Sequence, residues 1–310
     1  MAVWKKALLA VIAIIVVLAV AAFLFADRIV LYALLGRHVD AEVRPIDEDR
    51  ATQVQLLTED ELRLQAWDFA PLSTHPVEHS DTAGQPDPKG AVIVLSGLQG
   101  PSVTWLHEYG ELLQDNGYAA LLVEMRGVAG SEGDGQEAGM GEVRDIRAGI
   151  DYLSTTYPGT PVAVWGTSMG GHAALAALDF TDPEHPIAAV IAASAITSFA
   201  DMAGQYNEAL VAPISERLAT RYGKYGAANA LHAITHATVP VLLAYSREDS
   251  VVPATMSQEL KAAYPAAEEY VVDGDHHFIV PADSDGFTHP VAEDPYADAV
   301  IEFLDRSLSE

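Results

Sequence analysis

Cysteine is absent from this 310-residue chain, and basic residues are scarce. Without cysteine the chain has no disulfides, no thiolate metal ligands and no cysteine nucleophile. It has 17 Lys and Arg residues against 44 Asp and Glu residues, a formal net charge of -27 at pH 7. Because nucleic-acid binding needs a basic surface that neutralises phosphates, this balance argues against nucleic acid as a partner. The acidic residues are spread along the chain and indicate a solvated, self-repelling surface.

Charge is also missing from one long segment near the N-terminus. Residues 7–26 read ALLAVIAIIVVLAVAAFLFA, with no charged residue, proline or glycine. As a helix, this segment would be about 30 Å long, the thickness of the hydrocarbon core of a bilayer. Lys5 and Lys6 precede it, which favours a cytoplasmic N-terminus and an extracytoplasmic location for the rest of the chain. The sequence therefore predicts a single-pass membrane anchor over residues 1–27, with a cleaved signal peptide as the alternative.

The rest of the sequence indicates one large α/β domain. Residues 28–51 form a predicted connector, and residues 52–310 form the domain. After a predicted hairpin, short apolar runs such as AVIVL at 91–95 alternate with longer helical patterns, which predicts a mostly parallel, twisted sheet flanked by helices. Residues 197–238 interrupt this alternation. They can form a small lid or a plain long connection.

The strongest local motif is Gly166-Thr167-Ser168-Met169-Gly170. It lies between the apolar run VAVW and an alanine-rich helical stretch. At a sharp turn from strand to helix a serine side chain is exposed, and the flanking glycines are needed because side chains there would collide with neighbouring backbone. The motif predicts that Ser168 is a nucleophile.

Together with two later segments, this motif resembles the α/β-hydrolase superfamily over roughly residues 52–308. The segments are SREDSVVP at 246–253 and DGDHHF at 273–278. The resemblance implies a catalytic triad in which His276 is the base for Ser168 and Asp249 supports His276. Glu248 and His277 remain the alternative acid and the alternative base.

The resemblance also implies an oxyanion hole formed by two backbone N–H groups. One belongs to Met169, directly after the nucleophile, and the other to Leu98, in the loop Ser-Gly-Leu-Gln-Gly that follows the strand AVIVL. Residues 126–133 (RGVAGSEG) resemble a family loop with one inserted residue, which is expected to shape the rim of the site.

Taken together, these expectations describe a membrane-anchored serine hydrolase that cleaves carboxylic esters through an acyl-enzyme. Its partners would be a small-molecule ester or peptide substrate and, through the N-terminal helix, the lipid bilayer. A serine peptidase, a thioesterase and an inactive binding module with the same fold are the alternatives. No organic cofactor and no metal are predicted, since adjacent histidines such as His276 and His277 rarely point the same way and no other histidine matches a ligand spacing.

Overall fold

The structure is a computed structural model. It describes residues 2–25, 37–72, 87–98, 100–180, 183, 186–199, 201–202, 228–273 and 295–308. Statements below about what is absent refer to these residues alone. The region 197–238, for which a lid and a plain connection were both considered, falls mainly outside them.

An eight-stranded sheet with the order β1-β2-β4-β3-β5-β6-β7-β8 organises the fold. β1 and β2 form an antiparallel hairpin, β2 pairs antiparallel with β4, and the pairs from β4 to β8 are all parallel. The strands are β1 Thr52–Leu57, β2 Arg63–Phe69, β3 Ala91–Leu95, β4 Ala119–Val123, β5 Val162–Thr167, β6 Ile187–Ala193, β7 Val241–Ser246 and β8 Glu268–Val272.

Helices cover both faces of this sheet. Two short 3-10 helices are also present. Val103–Leu106 directly precedes the α-helix that begins at His107, and Ala177–Phe180 directly follows the α-helix that ends at Ala176. The described α-helices are α1 Ala2–Leu24, α2 His107–Asp115, α3 Glu142–Thr156, α4 Met169–Ala176, α5 Ala230–Ile234, α6 Ala254–Ala263 and α7 Pro295–Ser307.

The central strands are apolar because they are covered on both faces. All five residues of β3 and all five of β4 are buried. Their side chains alternate between two hydrophobic clusters, one on each face of the sheet: Ile93 belongs to one cluster, and Val92 and Val94 to the other. A parallel strand with helices on both sides has no solvated face, so no polar alternation is found in its sequence. The predicted α/β fold with a mostly parallel sheet is confirmed.

The predicted helix boundaries differ from those observed by a few residues. The sequence pattern predicts a helix over residues 257–264, whereas the observed α6 begins three residues earlier, at Ala254, because Pro253 occupies its N-cap position and the helix follows directly. The alanine-rich helix after the motif ends at Ala176 and continues as a 3-10 turn.

The apolar N-terminal segment forms α1. Its described large side chains are exposed, for example Val17 at 65% and Leu18 at 63%. Among the described residues, however, no helix combines the length and the apolar character needed to cross a membrane. The structure therefore does not support the predicted transmembrane helix over residues 7–26.

The second half of the predicted connector lies against the domain. Val39 forms a parallel bridge with Val128, with the Val39 N–H donating to the Gly127 carbonyl at 2.9 Å. Further along, the Arg44 guanidinium stacks on the Trp105 ring, 3.4 Å from its centroid. These contacts hold residues 37–50 against loops at the carboxyl ends of β3 and β4.

Candidate active site

Ser168 lies at the sharp turn between β5 and α4. Its backbone has φ 54° and ψ -113°, a region that L residues other than glycine rarely adopt. Such strain costs on the order of 1–3 kcal/mol and persists only where the surroundings enforce it. Here the Ser168 N–H donates to the Ala193 carbonyl at 2.7 Å, and the Ser168 carbonyl accepts from the His172 N–H at 2.9 Å. The turn therefore holds the half-buried Ser168 side chain at the carboxyl edge of the sheet.

The glycines of the motif are needed because a side chain at either position would collide with neighbouring backbone, as the sequence suggested. A Cβ added to Gly166 would lie 2.1 Å from the Gly170 carbonyl oxygen, and one added to Gly170 would lie 2.5 Å from the Ser96 carbonyl oxygen. Both obstacles are backbone atoms, which cannot move aside without distorting the turn. The motif thus lets β5, the loop after β3 and the start of α4 approach each other closely around Ser168.

We expect Gly166→Ala to destabilise the protein by more than about 3 kcal/mol, because relieving the clash requires displacing the backbone around Ser168. Chemical denaturation checks the stability. Gly159→Ala is the matched control: its φ is +79°, but nothing lies within 4 Å of the added Cβ, so only the left-handed conformation is penalised, by about 1 kcal/mol. Equal losses in the two variants would contradict the steric explanation.

The two predicted oxyanion-hole residues belong to segments that adjoin Ser168. Met169 is the first residue of α4, where backbone N–H groups have no acceptor within the helix. Leu98 follows Gly97, and a Cβ on Gly97 would lie 3.5 Å from the Ser168 Cβ. The loop therefore passes close to Ser168 at Gly97. This arrangement brings the backbone of Leu98 and of Met169 to the same end of the sheet as Ser168.

Asp249 follows β7, two strands away from β5, which corresponds to about 10 Å across the sheet. One oxygen of its carboxylate accepts the N–H groups of Val251 at 2.9 Å and Val252 at 2.7 Å. These two bonds orient the carboxylate within its loop. The side chain of the alternative acid, Glu248, is exposed.

The candidate bases His276 and His277 lie outside the described residues. The strand that precedes them does not: β8 ends at Val272, which pairs with Ser246 at the end of β7. Beyond this pair, Arg247 donates its N–H to the Val272 carbonyl at 3.0 Å and forms an ion pair with Asp273 at 2.8 Å. The acid loop after β7 and the segment after β8 therefore begin side by side.

Glu124 supports the loop that carries Leu98, a role that the sequence analysis missed. It directly follows β4 and is fully buried. Its carboxylate accepts a hydrogen bond from the Ser102 hydroxyl and another from the Val103 N–H at 3.2 Å. Burial raises the pKa of Glu124 to about 7, although both hydrogen bonds act in the opposite direction. An acidic residue directly after a wholly apolar strand is the sequence signal that could have identified it.

We expect the wild-type protein to lose stability relative to Glu124→Gln as the pH rises from about 4.5 to about 7. The pKa of Glu124 is raised from 4.5 in the reference state to about 7 in the folded state. Its contribution to the free energy of unfolding is therefore complete below pH 4.5 and is lost as the pH rises to about 7. The pH-dependent difference would be about 3 kcal/mol. Urea unfolding at several pH values measures it, and Glu302→Gln, at an exposed position on α7, is the control. Parallel pH profiles for wild type and Glu124→Gln would refute this expectation.

Arg126 and His172 are both buried. Arg126 is the first residue of the loop 126–133, which was expected to shape the rim of the site, but its own side chain is only 1% exposed. His172, one turn after the nucleophile, is completely buried, and its Nδ1 lies 3.1 Å from the Ile196 carbonyl oxygen. Burial lowers the pKa of His172 to about 4 and keeps the ring neutral.

Sequence comparisons found a family model and a relative that match this chain. Residues 86–225 match the family model described as "Serine aminopeptidase, S33". An uncharacterized protein of Mycobacterium tuberculosis strain H37Rv is 30% identical over 217 residues, 69% of this chain and 68% of that protein.

Solved structures share the fold at low sequence identity. An esterase of Pyrococcus furiosus superimposes with a TM-score of 0.64 at 23% identity, covering 87% of this chain and 99% of the esterase. An acylaminoacyl peptidase of Pyrococcus horikoshii gives a TM-score of 0.58 at 18% identity, covering 84% of this chain and 42% of the peptidase. A puromycin-hydrolyzing peptidase of Mycobacterium tuberculosis gives a TM-score of 0.59 at 22% identity, covering 84% of this chain and 40% of the peptidase. With its strained serine between β5 and α4, its parallel sheet and these relatives, the chain belongs to the α/β-hydrolase superfamily.

Proposed function

We propose that the protein is a serine hydrolase that cleaves carboxylic esters through an acyl-enzyme. The observation that carries the proposal is the strained backbone of Ser168 at the turn between β5 and α4. A serine held in this way, with backbone N–H groups on either side, is suited to attack a carbonyl group.

In the proposed reaction, His276 takes the proton of the Ser168 hydroxyl as the serine oxygen attacks the ester carbonyl. The backbone N–H groups of Leu98 and Met169 stabilise the developing oxyanion. The alcohol leaves with the proton from His276, and an acyl-enzyme remains. The same histidine then activates water, which releases the acid, while Asp249 orients the imidazole.

A serine aminopeptidase is the second candidate, supported by the family model that matches residues 86–225. Amide and ester cleavage use the same nucleophile and oxyanion hole, so the fold does not decide between them. The test is to label the purified chain with a fluorophosphonate and to compare p-nitrophenyl esters of increasing acyl length with aminoacyl p-nitroanilides. Ester turnover with at least about 100-fold higher kcat/KM than anilide turnover supports the esterase.

The other outcomes of this comparison also decide between functions. Comparable or preferred turnover of the anilides would assign the protein as a peptidase. Labelling with turnover of acyl thioesters alone would indicate a thioesterase. Absence of labelling in a folded protein would contradict the hydrolase proposal and favour an inactive binding module.

We also propose that the N-terminus attaches the protein to a membrane, with the domain on the extracytoplasmic side. The support comes from the uncharged sequence of residues 7–26 and from the exposure of apolar side chains along α1, such as Ile14 and Ile15 at 59% each. Exposed apolar residues at this density mark contact with lipid or with another apolar surface. Fractionation of cells expressing the full chain tests this: retention in the membrane pellet after alkaline carbonate washing supports it, and recovery in the supernatant refutes it.

A further inference from the structure

Two histidines and an aspartate lie together at the end of α4 that is remote from Ser168. Asp179 belongs to the 3-10 helix that continues α4, while His232 lies in α5 and His236 just beyond it. One ligand atom from each of the three residues lies within 4.8 Å of those of the other two. Asp179 is eleven residues beyond the nucleophile, or about 16 Å along the helix axis. The cluster is therefore separate from the candidate active site.

The two histidines are on the same side of one helical turn. Residues four apart in a helix are neighbours on its surface, and here the two imidazole rings lie 4.9 Å apart between centroids. The His232 Nδ1 is 2.7 Å from an Asp179 carboxylate oxygen. Contact with Asp179 therefore links the histidine pair to the end of the nucleophile helix, 53 residues away in the sequence.

Local hydrogen bonds set the chemistry of His236. Its Nδ1 lies 3.3 Å from the His232 carbonyl oxygen, which can only accept, and 3.1 Å from the Thr235 hydroxyl. The contact with the carbonyl requires the tautomer that has the proton on Nδ1, and in that tautomer Nε2 keeps its lone pair. A histidine ligand is commonly oriented in this way, with one ring nitrogen donating to a carbonyl while the other binds a metal. The turn itself is fixed by the Asn229 side chain, which caps α5 by accepting the His232 N–H at 2.9 Å.

We propose that Asp179, His232 and His236 form a binding site for a divalent transition-metal ion, with Zn²⁺ as the expected occupant. Two imidazole nitrogens and one carboxylate oxygen match the ligand types that Zn²⁺ prefers, and water would complete a tetrahedron. Mg²⁺ and Ca²⁺ prefer sites built from oxygen and are disfavoured by the two imidazoles. If the metal binds Nδ1 of His232, the neutral ring carries its one proton on Nε2.

A metal ion bound at this cluster would act on the stability of the fold. α5 packs against both α4 and α6, so a metal held between Asp179 and the histidines would fasten α5 to the helix that begins at the nucleophile. Among the described residues, this cluster is the only group of three or more possible ligands that converge in this way. Bound metal is thus expected to raise the stability of the protein without taking part in the reaction at Ser168.

The test is calorimetric titration of ZnCl₂ into the metal-free full chain, with His232→Ala, His236→Ala and a control, His38→Ala. His38 is also exposed and has a carboxylate, Asp40, at 3.9 Å, but it belongs to no such three-residue cluster among the described residues. We expect the wild type and His38→Ala to bind one Zn²⁺ that His232→Ala and His236→Ala bind at least about 100-fold more weakly, since even outer-shell partners of a metal contribute 10–100-fold.

Thermal unfolding provides a second readout that does not depend on catalysis. Saturating Zn²⁺ should raise the unfolding temperature of the wild type and of His38→Ala, but not that of His232→Ala or His236→Ala. Unfolding curves without metal show whether each variant is folded. Binding of Zn²⁺ with unchanged stoichiometry and affinity in both cluster variants would overturn the proposal, as would a wild type that binds no Zn²⁺.

Discussion

We expect Ser168→Ala to lower kcat for ester hydrolysis by on the order of 10⁶-fold, with loss of fluorophosphonate labelling. The covalent step needs the hydroxyl, and alanine leaves only the oxyanion hole and substrate binding, which retain about 10³–10⁴-fold acceleration over water. Steady-state assays with a p-nitrophenyl ester measure the change. Alanine keeps the Cβ at the strained position, so the stability of the fold should hardly change.

Ser154→Ala is the matched control for this variant. Ser154 lies near the C-terminal end of α3, which ends at Thr156. Its replacement should leave kcat and labelling unchanged. A reduction of less than about tenfold in Ser168→Ala would show that another group is the nucleophile.

We expect Arg126→Met to reduce the free energy of unfolding by about 3–5 kcal/mol, because it leaves buried carboxylates without their cation. Arg126 donates from Nε to Asp145 at 2.9 Å, and from its two terminal nitrogens to Asp60 at 2.9 and 3.1 Å. Asp145 is fully buried. Burial raises the pKa of Asp60, but hydrogen bonds and charge from Arg126 bring it down to about 2. The guanidinium therefore connects the β1–β2 hairpin, α3 and the loop after β4.

Arg63→Met is the control, because it removes an arginine whose side chain is exposed. Arg63 pairs with Glu132 on the surface, and its side chain is 60% exposed, so its removal should cost no more than about 1 kcal/mol. Arg126→Lys keeps the charge but loses the two-pronged contact with Asp60, and an intermediate loss is expected. Urea denaturation compares all three. Similar stabilities of Arg126→Met and Arg63→Met would show that the buried network contributes little.

The backbone around the nucleophile was predictable because the requirements there are local. Gly166, Ser168 and Gly170 fall within five residues, and the collisions that demand glycine involve the backbone of that same turn and the neighbouring loop. Apolar runs such as Ala91–Leu95 likewise identify buried parallel strands, since both their faces must be covered. Helix boundaries were less accurate, since several patterns fit the residues around Pro253.

The roles of buried charges were not predictable from sequence. Residues 126–133 were expected to shape the rim because they resemble a family loop, yet the Arg126 side chain is buried and its partner Asp60 is 66 residues away. Glu124 resembles any acidic residue at a strand end until Ser102, 22 residues earlier, is placed against it. His232 and His236 were not recognised in the sequence as a possible ligand pair, and nothing in the sequence places Asp179, 53 residues away, beside them.

The sequence by itself determined the order of strands and helices, the turn at Ser168 and the scarcity of positive charge. These depend on local periodicity, on the conformations open to glycine and on composition. Only the tertiary structure decided which polar groups are buried and which of them meet, as in Arg126 with Asp60 and Asp179 with His232. The reason is physical: a side chain's electrostatic environment is created by neighbours that the fold brings from distant parts of the chain.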